Sequence, residues 1–273
     1  MKNNLRYLLL TLIIAITASC SESEQPVTRL KLATTTSVEN SGLLSYLLPE
    51  FEKEFNYKID VIAVGTGKAL KLARQGDIDA VLVHDPKLEE KFIADGFGVD
   101  RRPIMTNDFF IVGPADNPAG LKIADPAQFA LQKIAGTPSI FISRGDESGT
   151  HQKEKFLWEL IPLKPLGKWH LESGQGMGAT LIIANEKKAY CLTDRATYLS
   201  FKKKIELLIL CRGDTQLINP YSITTVNPAR FPNVKYEAAT KLINWLTSPA
   251  AQKMIGNFKQ QGEVLFDPVM QEK

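Results

Sequence analysis

From residue 27 onward, short apolar runs alternate with longer stretches in which apolar residues recur every three or four positions. A run of four to six apolar residues between turn signals is the mark of a buried strand, and the wider spacing is that of a helix with one buried face. Read this way, the pattern predicts strands over 29–33, 59–64, 80–83, 109–112, 139–142, 189–192 and 206–210. It predicts helices over 42–55, 68–75, 87–95, 126–135, 150–160, 178–187, 238–246 and 249–258. Strands alternating with helices of this length give an α/β fold: mixed, mostly parallel sheets with crossover helices on both faces. Two apolar stretches, 107–112 and 220–226, are flanked by Gly113-Pro114 and Asn219-Pro220 and read as crossovers between two lobes. Lobe I is then 27–107 plus 222–273, and lobe II is the insert 108–221, each of ordinary domain size.

The first 28 residues follow a different pattern. Lys2 and Arg6 precede an apolar run over 8–18, which has the layout of a secretory leader and is short of the roughly 20 residues that span a bilayer. The run ends in Thr17-Ala18-Ser19-Cys20, which resembles the lipobox of bacterial lipoproteins, with Thr17 where that motif usually carries Leu. Residues 1–20 are therefore expected to be a signal peptide, Cys20 the lipidated residue, and 21–28 a polar, proline-stopped tether. The expected product is exported, to the periplasm or cell surface, and held to the membrane through lipid on Cys20. Cys191 and Cys211 remain; their spacing carries no zinc or redox signature, and two buried thiols are favoured over a disulfide.

Composition narrows the function. The chain carries 33 Lys+Arg against 30 Asp+Glu, and without the leader's Lys2 and Arg6 the count is 31 against 30. That balance excludes the basic stripe a nucleic-acid-binding surface needs. With 44% hydrophobic residues the chain has material for one large core or two smaller ones.

The chemistry gathers at strand-to-helix junctions. The first strand runs into Thr34-Thr35-Thr36-Ser37, and the second into Gly65-Thr66-Gly67. A third runs into Arg144-Gly145-Asp146-Glu147-Ser148-Gly149-Thr150, and Ser173-Gly174-Gln175-Gly176-Met177-Gly178 precedes another helix. A helix N-terminus presents unpaired N–H groups and a partial positive charge. In open α/β sheets ligands bind beyond the carboxyl ends of the strands, where these junctions lie. A single Ser or Thr there is an ordinary helix cap, but four hydroxyls in a row exceed what one cap uses. Arg144 adds a permanently charged forked donor suited to an oxyanion. Several helix ends and one guanidinium could together hold a dianion with neither metal nor cofactor.

Several segments together resemble the tungstate-binding proteins of bacterial ABC importers, within the wider group of molybdate-, sulfate- and phosphate-binding proteins. They are Ala33-Thr34-Thr35-Thr36-Ser37, Val64-Gly65-Thr66-Gly67-Lys68-Ala69, Asp79 through Pro86, Asn107-Asp108-Phe109 through Pro114, Ser143 through Thr150, Gly174 through Leu181, and Leu192-Thr193-Asp194-Arg195. The resemblance implies a two-lobed periplasmic-binding-protein fold of the second type, with the ligand in the cleft between lobes. It implies a small inorganic oxyanion as ligand, tungstate or molybdate, and permease subunits of an importer as partners. By position it places Thr35, Thr36, Ser37, Thr66 and Gly67 on one side of the anion, and Arg144, Ser148, Gly149 and Thr150 on the other.

Rival readings are weaker. A serine hydrolase needs a base aimed at its nucleophile, whereas His151 follows Ser148 by three residues on a predicted helix. An organic-solute binder needs an aromatic-lined cleft, and these junctions are small and polar. A hydrogenphosphate site would use a carboxylate to accept the ligand's proton; Asp85, ahead of Pro86, reads instead as a helix cap.

Overall fold

The computed structural model describes residues 27–269. The leader, Cys20 and all but the end of the tether lie outside the described residues. In chain order the elements are β1 (Thr28–Thr35), α1 (Thr36–Asn40), α2 (Leu43–Phe55), β2 (Tyr57–Val64), α3 (Thr66–Gln75), β3 (Ala80–Val83), α4 (Pro86–Ala94) and β4 (Gly98–Gly113). There follow α5 (Ala127–Ala135), β5 (Phe141–Ser143), α6 (Gly149–Glu159), β6 (His170–Glu172), α7 (Met177–Glu186), β7 (Cys191–Asp194), α8 (Arg195–Phe201) and β8 (Leu208–Cys211). The chain closes with β9 (Ile218–Val226), α9 (Tyr236–Leu246), α10 (Pro249–Asn257) and the two-residue strands β10 (Lys259–Gln260), β11 (Glu263–Val264) and β12 (Asp267–Pro268).

The strands form two layers that share β4. The first has the order β2-β1-β3-β9-β4-β12. Its β1, β2 and β3 are parallel, and β9 runs antiparallel to both β3 and β4. In the second layer, β4 residues from Phe109 onward pair antiparallel with β7 on one side and β8 on the other. A parallel bridge between Phe141 and Tyr190 ties β5 to that layer, and β6 pairs with β5. The fold is thus the two-lobed α/β architecture, with β4 carrying the chain from one lobe to the other and β9 beside it on the way back.

Burial explains the strands. All four residues of β3 are buried, as a parallel strand covered on both faces requires. On β1, Leu30 and Leu32 join a core with Leu44, Leu47 and Phe51 of α2, while Ala33 turns to the opposite face with Ala69 and Ala73 of α3. Helices therefore cover both faces of the first sheet. The second lobe repeats this, with α7 on one side of β4 and α5 and α6 on the other.

One strand is much longer than its apolar pattern. The prediction over 109–112 is the tail of a 16-residue strand. Its first half reads Gly98-Val99-Asp100-Arg101-Arg102-Pro103, charged and interrupted by proline. Here β4 pairs with β9 on one side, while β12 covers only Met105 and Thr106 on the other. Open edges accept charges and proline. Register shifts between Val99 and Arg102, with Asp100 at φ 54°, complete the irregularity. Cys191 and Cys211 are buried free thiols. They lie on β7 and β8, the two strands flanking β4, and belong to cores on opposite faces. Two strand spacings, roughly 9–10 Å, exceed the reach of a disulfide. Among the described residues, no helix is long and apolar enough to cross a membrane.

Candidate functional site

Strand β1 ends in a hydroxyl-rich corner. Thr34 turns inward and spends its Oγ1 on the carbonyl of Leu82, 2.9 Å away, locking β1 to β3. Thr35 occupies the N-cap position of α1 without capping it; its Oγ1 lies 3.1 Å from Ser37 Oγ instead. Thr36 and Ser37 open into a cavity of about 320 Å³. Across that cavity stand Arg144, the first residues of α7 (Met177, Gly178, Ala179) with Gly176 before them, and Thr197. The first lobe supplies hydroxyls; the second supplies a guanidinium and a helix end.

The helix end is unspent. Gly176 is the N-cap of α7 and has no side chain to satisfy the first N–H groups. By contrast, Asp194 caps α8 with both carboxylate oxygens, to Thr197 N at 2.9 Å and Thr197 Oγ1 at 2.7 Å. Arg144 is held from below by Asp146, whose Oδ2 accepts from Nε at 3.0 Å and Nη2 at 2.6 Å. Two of a guanidinium's five N–H groups are thus directed at Asp146, and three are left for another acceptor. Only 13% of the Arg144 side chain is exposed. Asp146 is partly desolvated, which favours its neutral form, yet Ser148 and Arg144 together hold its carboxyl below the usual range. Asp85, as expected, is a helix cap: its Oδ1 accepts from Leu88 N at 3.0 Å.

Beside the cavity, where the lobes join, lies a buried polar cluster. Asn107 on β4 faces Asn219 on β9 in the ladder. Asn219 Nδ2 donates to Asn107 Oδ1 and to Tyr221 Oη, each at 2.9 Å, and Asn219 Oδ1 lies 2.9 Å from His84 Nδ1. All four residues are buried. Burial drives the His84 pKa below its ordinary value, opposed by Asp194, Asn219 and Asp85 and reinforced by Arg144. His84 also packs against Gly149 of the second lobe. A Cβ on Gly149 would stand 2.5 Å from His84 Cε1, so only glycine fits there.

The predicted residues therefore divide. Thr36, Ser37 and Arg144 line one cavity, and Thr35 joins through Ser37. Gly149 forms the interlobe contact with His84. Ser148 caps α6, accepting from His151 N at 3.3 Å, and Thr150 is buried in the first turn. Neither is among the cavity's lining residues, nor are Thr66 and Gly67. Thr66 Oγ1 is buried without a partner at the start of α3, and so is Ser143 Oγ immediately before Arg144. Sequence reasoning missed Thr197 and Asn40, which also line the cavity, because α1 and α8 were not foreseen. It also missed Asn219 and Tyr221; the turn signal Asn219-Pro220 was the one clue to them. Among the described residues, no group of three or more His, Cys, Asp or Glu could hold a metal ion.

Two lobes joined by shared strands, with a cavity where their junctions meet, have the architecture of the PBP superfamily, and the model of the PBP superfamily domain matches residues 21–250. The tungstate-binding protein TupA of Peptoclostridium acidaminophilum is 45% identical over 241 residues, 87% of this chain and 84% of that one. Among solved structures, the tungstate-binding protein TupA from Desulfovibrio alaskensis G20 superposes with a TM-score of 0.83 at 45% identity, covering 90% of this chain and all of that one. The tungstate ABC transporter structure from Geobacter sulfurreducens gives 0.78 at 55% identity, over 84% of this chain and 98% of that one. The chain belongs to the family of the tungstate-binding proteins TupA.

Proposed function

We propose that this chain captures a fully deprotonated tetrahedral oxyanion, tungstate or molybdate, in the cavity between its lobes and delivers it to the permease of an ABC importer. One observation carries the reading: a guanidinium with three unspent N–H groups and an uncapped helix end face the hydroxyls of Thr36 and Ser37 across about 320 Å³. Each of these groups can donate, and a fully deprotonated dianion is held by donors. Charge-assisted bonds contribute about 1.5–3 kcal/mol each, so six to eight of them cover the roughly 12 kcal/mol of nanomolar binding after ordering costs. The names of the relatives, tungstate-binding proteins and a tungstate ABC transporter, support the choice of anion and partner.

The family resemblance assigns the site to Thr35, Thr36, Ser37, Thr66 and Gly67 from the first lobe (27–107 plus 222–273) and Arg144, Ser148, Gly149 and Thr150 from the second (108–221); of these, Thr36, Ser37 and Arg144 line the cavity and are the core of the proposed site. The protein acts by capture without chemistry, switching between open and closed lobes as the ligand favours the closed form. Support against hydrolysis comes from His151, whose Nδ1 accepts from Glu147 N at 3.1 Å and is not aimed at Ser148. The leader and Cys20 make the protein an exported lipoprotein in this reading. Titration calorimetry of the ligand-free protein with tungstate, molybdate, sulfate and phosphate tests it. Nanomolar binding of the first two is expected, and no heat from any of the four would end the reading.

A further inference from the structure

The C-terminal hairpin reaches from one lobe to the other. Strands β10 and β11 meet at Gln261-Gly262, with φ of 53° and 85°, the tight turn that suits two paired strands. Behind them Leu265 and Phe266 are fully buried, and β12 pairs with the first-lobe part of β4 at Met105 and Thr106. The hairpin therefore belongs to the first lobe, yet its polar groups go to α8 of the second. Gln260 Nε2 donates to Ser200 Oγ at 3.0 Å, and Gln261 Nε2 to the carbonyl of Leu199 at 3.2 Å. Lys202 Nζ donates to Glu263 Oε1 at 3.0 Å, and Arg195 Nη1 to the carbonyl of Val264 at 3.4 Å. Both ends of α8 are gripped. Arg195 is its first residue, and Leu199 lies in its last turn, where carbonyls lack helical partners.

The gripped helix is a wall of the binding cavity, lined here by Ala196, Thr197, Ser200 and Phe201. The hydroxyl hydrogens of Thr197 and Ser200 are already given, to Asp194 Oδ2 at 2.7 Å and to the carbonyl of Ala196 at 2.9 Å. So α8 offers the anion a surface in place of hydrogen bonds. Phe201 also backs the start of α7: a Cβ on Gly178 would stand 2.3 Å from Phe201 Cζ, so the two helices fit only with glycine there. The place of α8 thus fixes the place of the open N–H groups of α7. A seven-residue helix has little stability of its own, and the first lobe's hairpin sets where it stands relative to Thr36 and Ser37. We infer that Gln260, Gln261 and Glu263 are positioning residues for the oxyanion site: the hairpin fastens α8, and through it the end of α7, at the spacing the ligand needs. A site held in place in advance binds more tightly than one the ligand must order. The inference rests on the oxyanion reading above, and it adds a segment outside the cavity that sets the affinity.

Glu263→Lys tests this without touching the cavity. The Lys202 and Glu263 side chains are 50% and 55% exposed, so the variant is expected to unfold within a few degrees of wild type. It sets two lysines face to face and pushes the hairpin off α8, while adding positive charge that by itself would attract a dianion. Loosening and field therefore differ in sign. By calorimetry, loosening should weaken tungstate binding about two- to fivefold, whereas a field effect alone would strengthen it. Adding Lys202→Glu restores an opposite pair with the wild-type net charge, and should return the affinity to within about a factor of two. Gln260→Ala with Gln261→Asn removes both amide bonds to the end of α8, asparagine being tolerated at positive φ. There the affinity should fall about tenfold, the scale of two neutral hydrogen bonds felt in part. Unchanged or stronger binding in Glu263→Lys, or wild-type affinity in the double glutamine variant, would overturn the inference while wild-type tungstate binding stands. A wild-type protein that binds none of the anions would take down the oxyanion reading and this inference with it.

Discussion

The two lobes repeat one strand plan with different chemistry. In the first, β2, β1 and β3 run parallel and β9 returns antiparallel; in the second, β6, β5 and β7 run parallel and β4 is the antiparallel member. In the first lobe β1 and β2 are eight residues long and β3 four, and the lobe offers neutral hydroxyls to the cavity. The second uses strands of three and four residues and offers Arg144 and the N-terminus of α7. The contrast teaches why closure can be left to the ligand. Charge on both sides would place like charges across the closed cleft, repelling whenever the anion was absent. With the guanidinium confined to one lobe, and Asp146 neutralising it there, the empty lobes meet at no electrostatic cost. In the proposed reading the anion docks on the charged lobe and the neutral lobe closes over it.

This division makes unequal predictions for the two sides. Arg144→Ala should weaken tungstate binding by about 3–4 kcal/mol, several hundredfold, since at least two charge-assisted bonds go with it. Arg144→Lys should recover only part of that, because a point charge cannot reproduce the fork. Thr36→Ala on the opposite lobe should cost about fivefold, the scale of one neutral bond. Equal losses from the two lobes, measured by calorimetry, would break the comparison. Gly149→Ala attacks the contact between lobes in place of the site. Its Cβ would stand 2.5 Å from His84, and overpacking of that kind costs about 1–3 kcal/mol. Tungstate affinity should fall roughly tenfold to a hundredfold. Small-angle scattering should show less compaction on adding tungstate than in the wild type; full compaction would show that the contact does not limit closure.

Much of this was legible in the sequence where burial is symmetrical. The run 80–83 was read to the residue, because a strand covered on both faces is apolar throughout. The sequence also singled out Thr36, Ser37 and Arg144, which line one cavity, since a row of hydroxyls and a lone arginine at strand ends have few structural uses. The first half of β4 was not legible, because an edge strand bearing Asp100, Arg101, Arg102 and Pro103 carries no period-two signal. The five-residue α1 and seven-residue α8 were too short to show a helical period, and with them went Asn40 and Thr197. The Asn107–Asn219–His84 cluster joins positions as far as 135 residues apart, a proximity created by β3, β9 and β4 lying side by side. No local pattern encodes it.

That cluster supplies the smallest effect and the one that binds the two regions together. Burial depresses the His84 pKa below 6.5, with Asp194 and Asp85 opposing and Arg144 reinforcing. Below that value the unfolded imidazole binds a proton that the folded one refuses. Stability from this group is therefore complete above the unfolded pKa and is lost as pH falls toward the folded one. The unfolding temperature of the ligand-free protein should accordingly drop on acidification from pH 7 to pH 5. His84→Gln, which keeps an amide donor toward Asn219 and cannot titrate, should show a shallower drop over the same interval. Parallel curves for the two proteins would mean that the imidazole takes up its proton within the fold. The imidazolium would keep its bond to Asn219 Oδ1 and add a second charge between the lobes, so the separation of a charged lobe from a neutral one would fail at the hinge.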